Sequence, residues 1–480
     1  MDTTPLAGRR EWLGLAVLAL PTLLLALDLS VLYLALPTIA RDLDASAVEQ
    51  LWLTDVYGFM VAGFLVTMGT LGDRIGRRRL LLIGAAAFAV ASVCAAFAPN
   101  PALLVVCRAA LGLAGATLGP ATLALISTLF RVPAQRAVAM AVWMSCFIGG
   151  NAVGPVVGGV LLAHFWWGAV FLLGVPVMVL LLVVGPAVLP EYRAPDPGRL
   201  DLPSVALSLL AILPAVYGLK ELARHGFAAV PAAALVAGIG FGVAFVARQR
   251  RLATPLLDLR LFADRTFLGG VLLMLSGGVF LGGMTLLVSQ YLQVVRGLPA
   301  LTAGLLLVPA VVAMTVTSLA APVLARRFRP GAVIAVGMAV GAAGYLVLTQ
   351  AGPAALVGGW TVALAGAGLP AGLAIGLIVG AAPQEKAGAA SAVAETSTEL
   401  GLSLGIALLG SLATAVYLAA LPPGSSAADG ITAAPAAALA EARAAYTAGL
   451  TTAATVSAAV SVALVALAAV AFRRVPTYSR

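Results

Sequence analysis

The sequence predicts an all-α integral membrane protein spent almost wholly on fourteen transmembrane helices. Three observations carry that expectation. Hydrophobic residues make up 62% of the 480 positions and charged residues only 10%, well under the roughly 25% charge of a soluble domain. Mean hydropathy is +1.07, and apolar runs of the ~20 residues needed to cross a bilayer recur from end to end. A soluble globule is excluded, and no polar stretch is long enough to bury a core of its own.

In chain order, runs bounded by charges, Pro or Gly place spans near 12–36, 50–72, 79–98, 101–128, 137–163, 166–189, 202–220, 227–247, 267–294, 300–325, 331–350, 353–382, 387–419 and 446–472. The first is too long for the apolar core of a cleaved signal and is expected to be retained. An even number of spans puts both termini on one side of the membrane. Of the 28 Lys and Arg residues, 22 then fall on the side of the termini, five on the other and one, Arg108, inside a span. The positive-inside rule makes the terminal side cytoplasmic, and a miscounted helix would scramble the asymmetry beyond the error. The net charge of +9 is therefore a topology signal, and no nucleic-acid partner is expected. The bilayer is the expected surrounding partner, and a bacterial cytoplasmic (inner) membrane the expected location.

The loop after the second span reads Gly69-Thr-Leu-Gly-Asp73-Arg74-Ile-Gly76-Arg77-Arg78, and the loop after the tenth reads Ala321-Pro-Val-Leu-Ala325-Arg326-Arg327-Phe-Arg329. If the seventh and eighth spans are an insertion, the two loops occupy matching places in two six-helix halves. The expected division is 1–190 for the first bundle, 191–265 for a linker with the two inserted helices, and 266–480 for the second bundle. Parallel repeats of this kind place a cavity between the halves near the membrane midplane.

Five charged residues lie within the spans: Asp28, Asp55, Arg108, Glu395 and Glu399. Each costs ~2.5 to 3.5 kcal/mol on insertion scales, which makes a functional role the default expectation. At ~1.5 Å per residue, Asp28, Asp55 and Arg108 lie about 7 to 12 Å below the external surface, close enough in depth to pair. Glu395 and Glu399 are one turn apart on one helical face. The alternative for Asp28 and Arg108 is an ion pair that only fixes packing. Four acids against one arginine nevertheless leave an excess that must be protonated or face water. A desolvated carboxylate exchanges a proton for a cation, which is the coupling chemistry of a proton antiporter with cationic substrates.

Asp73 and the arginines beside it are placed to cap neighbouring helix ends, with Gly69 and Gly76 for close approach and a tight turn. In the fifth span, Gly150, Gly154, Gly158 and Gly159 allow helix backbones to touch, and Pro155 bends the helix. Tyr33, Trp52, Tyr57, Trp143, Phe147 and Tyr291 lie near the acids, and Trp52 and Tyr57 are the expected aromatic contacts for a planar cation. Trp166 and Trp167 read as an external aromatic belt. Cys94, Cys107 and Cys146 read as small core residues, without metal-ligand spacing. His164 and His225 lie near external loops without a nucleophile. No metal, cofactor or catalytic site is expected, and the chain does not read as an enzyme.

These motifs carry a family resemblance. Gly69-x-x-x-Asp73-Arg74-x-Gly76-Arg77-Arg78 resembles the loop 2–3 signature of the major facilitator superfamily, and Arg108-x-x-x-Gly112 its helix 4 motif. Gly150-x-x-x-Gly154-Pro155-x-x-Gly158-Gly159 resembles the helix 5 motif of its antiporters. Leu27-Asp28-x-x-Val31, Ala35-Leu36-Pro37 and Pro255-Leu-Leu-Asp258-Leu-Arg260-Leu-Phe262 are similar to the fourteen-helix drug:proton antiporters. Gln50-Leu-Trp52-x-x-Asp55-x-Tyr57 and Ala390-x-Ala392-Val-x-Glu395-x-x-x-Glu399-Leu-Gly401 resemble the quaternary-ammonium and multidrug pumps among them. The resemblance implies the major facilitator fold and proton-driven export of lipophilic cations by a monomer. It further implies that Asp28, Asp55 and Glu395 serve coupling or recognition. Ala313 and Ala394 stand where some relatives carry a further acid, and the second-half loop lacks the Asp and Gly of the first, so dication handling and symmetric gating are not implied. A dedicated exporter of one natural product, for self-resistance, is the alternative reading. A nutrient symporter is disfavoured by the helix 5 motif.

Overall fold

The computed structural model describes residues 6–193, 201–225, 228–252, 255–350, 352–421 and 438–477. Fourteen long helices account for nearly all of them. They are α1 (Arg9–Asp42), α2 (Ala47–Ile75), α3 (Arg77–Ala96), α4 (Pro101–Leu129), α5 (Pro133–His164), α6 (Ala169–Val188) and α7 (Leu202–His225). There follow α8 (Ala229–Gln249), α9 (Arg265–Gln290), α10 (Ala300–Leu324), α11 (Pro330–Leu348), α12 (Pro353–Ala381), α13 (Ala387–Ala420) and α14 (Leu439–Ala471). Among the described residues, thirteen are long and apolar enough to cross a membrane. The remaining one, α5, does so as two parts, Pro133–Asn151 and Val156–His164, inclined at 46° across a break that contains Pro155.

Local chemistry sets the helix starts. Ser46 accepts from the Glu49 amide while Glu49 returns a bond to the Ser46 amide, a reciprocal cap on α2. Asn100 caps α4 ahead of Pro101, and Asp264 caps α9 through the Thr266 and Phe267 amides. The helices also outrun the apolar runs. α1 has 34 residues, about 51 Å at 1.5 Å per residue, against a ~30 Å hydrocarbon core. α14 begins at Leu439, seven residues before the expected span, because Leu-Ala-Glu-Ala-Arg-Ala-Ala is strongly helix-forming yet too polar to read as membrane.

α1 to α6 pack among themselves, chiefly α1 on α5, α2 on α4 and α3 on α4 and α6; α9 to α14 do likewise, with α9 on α13, α10 and α11 on α12, and α11 on α14. α7 and α8 form a hairpin that lies against α2 and α13, one helix from each group. At its base Arg248 grips Asp201 with two bonds of 2.8 and 2.9 Å. Those bonds hold the Asp201 carboxyl down to about 2, so the pair stays ionised throughout the physiological range.

Two expectations fail here. Trp167 is buried and packs edge-on against Phe171, leaving only Trp166 of the pair exposed. Cys94 is exposed on the outside of α3, so of the three cysteines only Cys107 is fully buried. In a membrane bundle an apolar residue is equally at home facing lipid, and hydropathy does not separate the two faces.

Where α11 crosses α12, Gly344 lets the backbones meet: a Cβ there would overlap the amide of Ala363, whereas one at Gly358 on the same pair would meet nothing. Gly344→Leu should cost at least the ~1–3 kcal/mol typical of overpacking and lower the yield of monodisperse protein in detergent, with Gly358→Leu unchanged. Equal behaviour of the two in size-exclusion and thermal-melt assays would contradict this packing.

Candidate functional site

The residues singled out above fall into two layers. The first is in the membrane, where α1, α2 and α4 meet. Arg108 of α4 has no accessible surface. Its Nη1 donates to Asp28 Oδ2 of α1 at 2.6 Å, its Nε donates to the Leu53 carbonyl of α2 at 3.4 Å, and its guanidinium lies 4.6 Å from the centre of the Tyr57 ring. Its Nη2 is buried and has no hydrogen-bond partner among the described residues. Asp28 and Arg108 therefore pair in this state, and Tyr57 turns a ring face to the protein's own cation. Asp55 of α2 is buried at 5% exposure, and it too has an interaction partner. Trp52, one turn toward the outside, is 44% exposed and edge-on to Phe59. The side chain of Tyr33 lies outside the described residues.

Below Arg108 the same face of α4 carries Gly112, Gly115 and Gly119. A Cβ at Gly112 would strike the Tyr57 backbone, one at Gly115 would come within 2.9 Å of the Tyr57 hydroxyl, and one at Gly119 would overlap the Glu395 carboxyl of α13. Glu395 Oε1 is buried with no hydrogen-bond partner among the described residues. Glu399, a turn away, interacts electrostatically with both Glu395 and Tyr57, and Asp28 with Tyr57. A continuous track about 16 Å long (11 residues at ~1.5 Å) thus joins Asp28 and Arg108, through Tyr57, to Glu395. Gly115 and Gly119 are absent from the sequence reading; their signal was the 4-3-4 spacing of small residues after Arg108.

The fifth helix supports the upper end of the track. Gly150 abuts the Leu23 carbonyl and Ala26 of α1, and Gly158 abuts Val31, so the two bracket Asp28. Gly154 is buried and Gly159 half-buried between them. The side chain of Pro155 lies outside the described residues.

The second layer lies at the end of α2, where that helix meets the start of α13. Gly69 of α2 crosses Gly388 of α13 so closely that a Cβ on either would strike the other's carbonyl. Asp73 accepts from the Gly388 and Ala389 amides, both at 3.3 Å, which places a carboxylate on the positive N-terminus of α13. Arg77, fully buried, donates to Asp73 at 2.9 Å, the Ala124 carbonyl at 3.2 Å, Thr128 at 2.9 Å and the Gln384 carbonyl, with the Tyr192 ring 4.3 Å from its guanidinium. Burial beside Glu385 raises the Tyr192 hydroxyl above its ordinary pKa, so it stays neutral. Arg78 donates to the Pro186 and Leu189 carbonyls and pairs with Glu191 at 3.5 Å. Gly76 has φ +112°, which favours glycine, and a side chain there would meet Glu191. Arg74 is buried, with Nη1 unbonded among the described residues. One further tie lay in the Pro255–Phe262 motif: its Leu256 carbonyl accepts from Thr70 of α2 at 3.1 Å, and Asp258 pairs with Lys386 just before α13.

Among the described residues no cluster of three or more His, Cys, Asp or Glu is arranged to hold a metal. The arrangement is a multi-pass helical bundle with charged and ionisable groups buried where α4 meets α1, α2 and α13. The comparisons agree with that description. The chain is 46% identical over 424 residues, 87% of its length and 84% of the relative's, to the multidrug efflux pump LfrA of Mycolicibacterium smegmatis. It is 35% identical over 86% of its length, and 84% of the relative's, to the methyl viologen resistance protein SmvA of Salmonella typhimurium. The crystal structure of the human organic anion transporter MFSD10 superposes with a TM-score of 0.63 over 95% of this chain and 99% of that one at 16% identity, a likeness of fold. With the family's sequence profile matching residues 18–406, this chain, a membrane transporter and not an enzyme, belongs to the Major Facilitator Superfamily.

Proposed function

We propose that the chain exports small lipophilic cations, quaternary ammonium compounds, dyes and biocides among them, in exchange for protons. It does so as a monomer in the bacterial cytoplasmic membrane, with both termini cytoplasmic. The working cavity lies between two six-helix halves, 1–190 and 266–480, with 191–265 inserted, and opens alternately to each side. Two carboxyl groups carry this reading: Asp28, paired with Arg108, and Glu395, whose Oε1 is buried with no hydrogen-bond partner among the described residues, both at membrane depth on helices packed against α4. A carboxylate in a low-dielectric site holds a proton or an organic cation but not both, so loading one releases the other. The relatives named for multidrug efflux and methyl viologen resistance support the substrate class.

In this reading Asp28 and Arg108 report the state of the track to the helices. Arg108 is held by α1 and α2 together, so protonating Asp28, or drawing it to a substrate, loosens α1 from α4. Trp52 offers an exposed ring to a planar cation entering above Asp55, and Tyr57 offers its ring once Arg108 moves. The contacts at Asp73 and Arg77 hold the cytoplasmic end shut, and each must break for substrate to enter from the cytoplasm. Gly69, Arg74, Gly76 and Arg78 shape this gate; Gly150, Gly154, Pro155, Gly158 and Gly159 keep α5 tight on α1 while it is closed.

Three outcomes are expected. In energised everted vesicles, Asp28→Asn should abolish ethidium and quaternary-ammonium transport with the protein still in the membrane; full retained transport would remove Asp28 from the mechanism. Glu395→Gln should lose some substrates and keep others, and an unchanged profile across a panel of mono- and dications would count against recognition by Glu395. Asp73→Asn leaves the Arg77 guanidinium buried beside a neutral partner, a change that costs about 3–5 kcal/mol when a buried pair is broken. On a background with the three native cysteines replaced, Ala392→Cys at the Gly69 crossing should then become more accessible to a cytoplasmic thiol reagent. No gain in labelling would mean that Asp73 does not hold the gate.

A further inference from the structure

Gly119 sits where α4 meets α13, and the space its missing side chain leaves is filled by the Glu395 carboxyl: a Cβ there would overlap both carboxyl oxygens. Glu395 Oε1 is buried and accepts no hydrogen bond among the described residues. Glu395 as a whole is half-buried, and an ionised carboxyl with one oxygen buried and lacking a donor bears a desolvation cost there, whereas the neutral acid is a smaller burden and brings a donor of its own. An acceptor lies in the same turn of α4, since Pro120 has no N–H and the Ala116 carbonyl loses its helical amide partner there. The notch therefore suits an uncharged carboxyl. The ionisable groups at membrane depth on helices packed against α13 are Asp55 and Tyr57 of α2, Arg108 of α4, Tyr217 of α7 and Tyr446 of α14. Glu399 of α13 itself is the charged group that acts on Glu395.

We propose that Gly119 is a positioning residue: its notch seats the uncharged Glu395 carboxyl while the cytoplasmic end is closed, and the carboxyl leaves the notch on ionising to meet a cationic substrate. The proposal rests on the proton-for-cation exchange above and adds where the proton-bearing side chain is parked. Proton binding then favours the closed state through shape as well as charge, because the carboxyl fits against α4 only where α4 and α13 touch.

The test uses the full-length protein in liposomes. Infrared difference spectra identify the carbonyl stretch of protonated Glu395 as the band lost in Glu395→Gln, and proton-driven ethidium exchange is followed in parallel. Gly119→Ala should shift or abolish that band and slow exchange by about tenfold or more, equivalent to ~1.4 kcal/mol on the barrier. Gly149→Ala, which adds a methyl into open space, should change neither. The double variant Gly119→Ala with Glu395→Asp, one methylene shorter, should recover both band and exchange, a rescue that a purely structural defect would not show. A wild-type band and rate in Gly119→Ala, or a folded double variant with no recovery, would overturn the role of Gly119. If Gly119→Ala does not fold, the double variant alone decides, and its failure to fold or exchange counts against the notch. Exchange of ethidium and of every other cation in the panel retained in Glu395→Gln would instead remove Glu395 from the proton-for-cation reading; exchange lost there for some of them with Gly119→Ala silent would remove only the notch.

Discussion

Arg108 has no exposed surface, and the arrangement of α1, α2 and α4 follows from placing partners around it. Three kinds of partner converge on one guanidinium: the Asp28 carboxylate, the Leu53 carbonyl and the face of Tyr57. Each comes from a helix that must approach α4 closely. The small residues at Gly112 and Gly115 permit that approach, because Tyr57 occupies the volume their side chains would take. Packing and electrostatics are therefore the same constraint: enlarging either glycine displaces Tyr57, and displacing Tyr57 uncovers a buried charge. A pair built this way costs desolvation energy that a hydrophobic substitute would avoid, which is the physical reason to look for work done by it beyond stability.

The proposed gate, where α2 meets the start of α13, is organised differently. There the partners of Asp73 and Arg77 are mostly backbone: the first amides of α13, the carbonyls of Ala124 and Gln384. Backbone groups at a helix end exist in any sequence that forms the helix, so the gate depends on where α13 begins. Lys386 and Asp258 add a second tie at that same point, bringing the segment after the α7–α8 hairpin onto α13 as well. The inserted hairpin is thus anchored to both halves at the end where they meet.

The sequence made the helices and their number legible because hydrocarbon thickness imposes a length on every apolar run, and the charge asymmetry checks that number independently. The motif residues Gly69, Asp73 and Gly76 were legible because their spacing is too specific for simple anchoring. What was hidden depends on which way a face turns. Trp167 and Cys94 fell on the opposite sides from those expected, since protein interior and lipid are equally apolar. Gly119 was hidden for another reason: one glycine among 52 acquires meaning only when Glu395, 276 positions later in the numbering, is seen lying against it. The burial of Asp55 was hidden as well, because depth along one helix says nothing of what its neighbours cover.

The two halves are not equivalent at the gate, and the inequality has a mechanical consequence. In the first half Arg77 is wholly buried and Asp73 nearly so; in the corresponding loop of the second half, Arg326, Arg327 and Arg329 are exposed and Phe328 is 57% exposed. Without an acid at Ala325, that loop has no counterpart of Asp73 to set on a helix N-terminus, and without a glycine at Phe328 it lacks the left-handed turn that Gly76 provides. The charged contacts of this layer are therefore concentrated on the meeting of α2 with α13. α13 also carries Glu395 and Glu399, with Glu395 about 10 Å along the same rigid helix from Gly388 (seven residues at ~1.5 Å). A change at the acids that tilts or draws α13 acts directly on the amides that Asp73 holds. Coupling between the membrane site and the gate then needs no chain of intermediates, because one helix belongs to both.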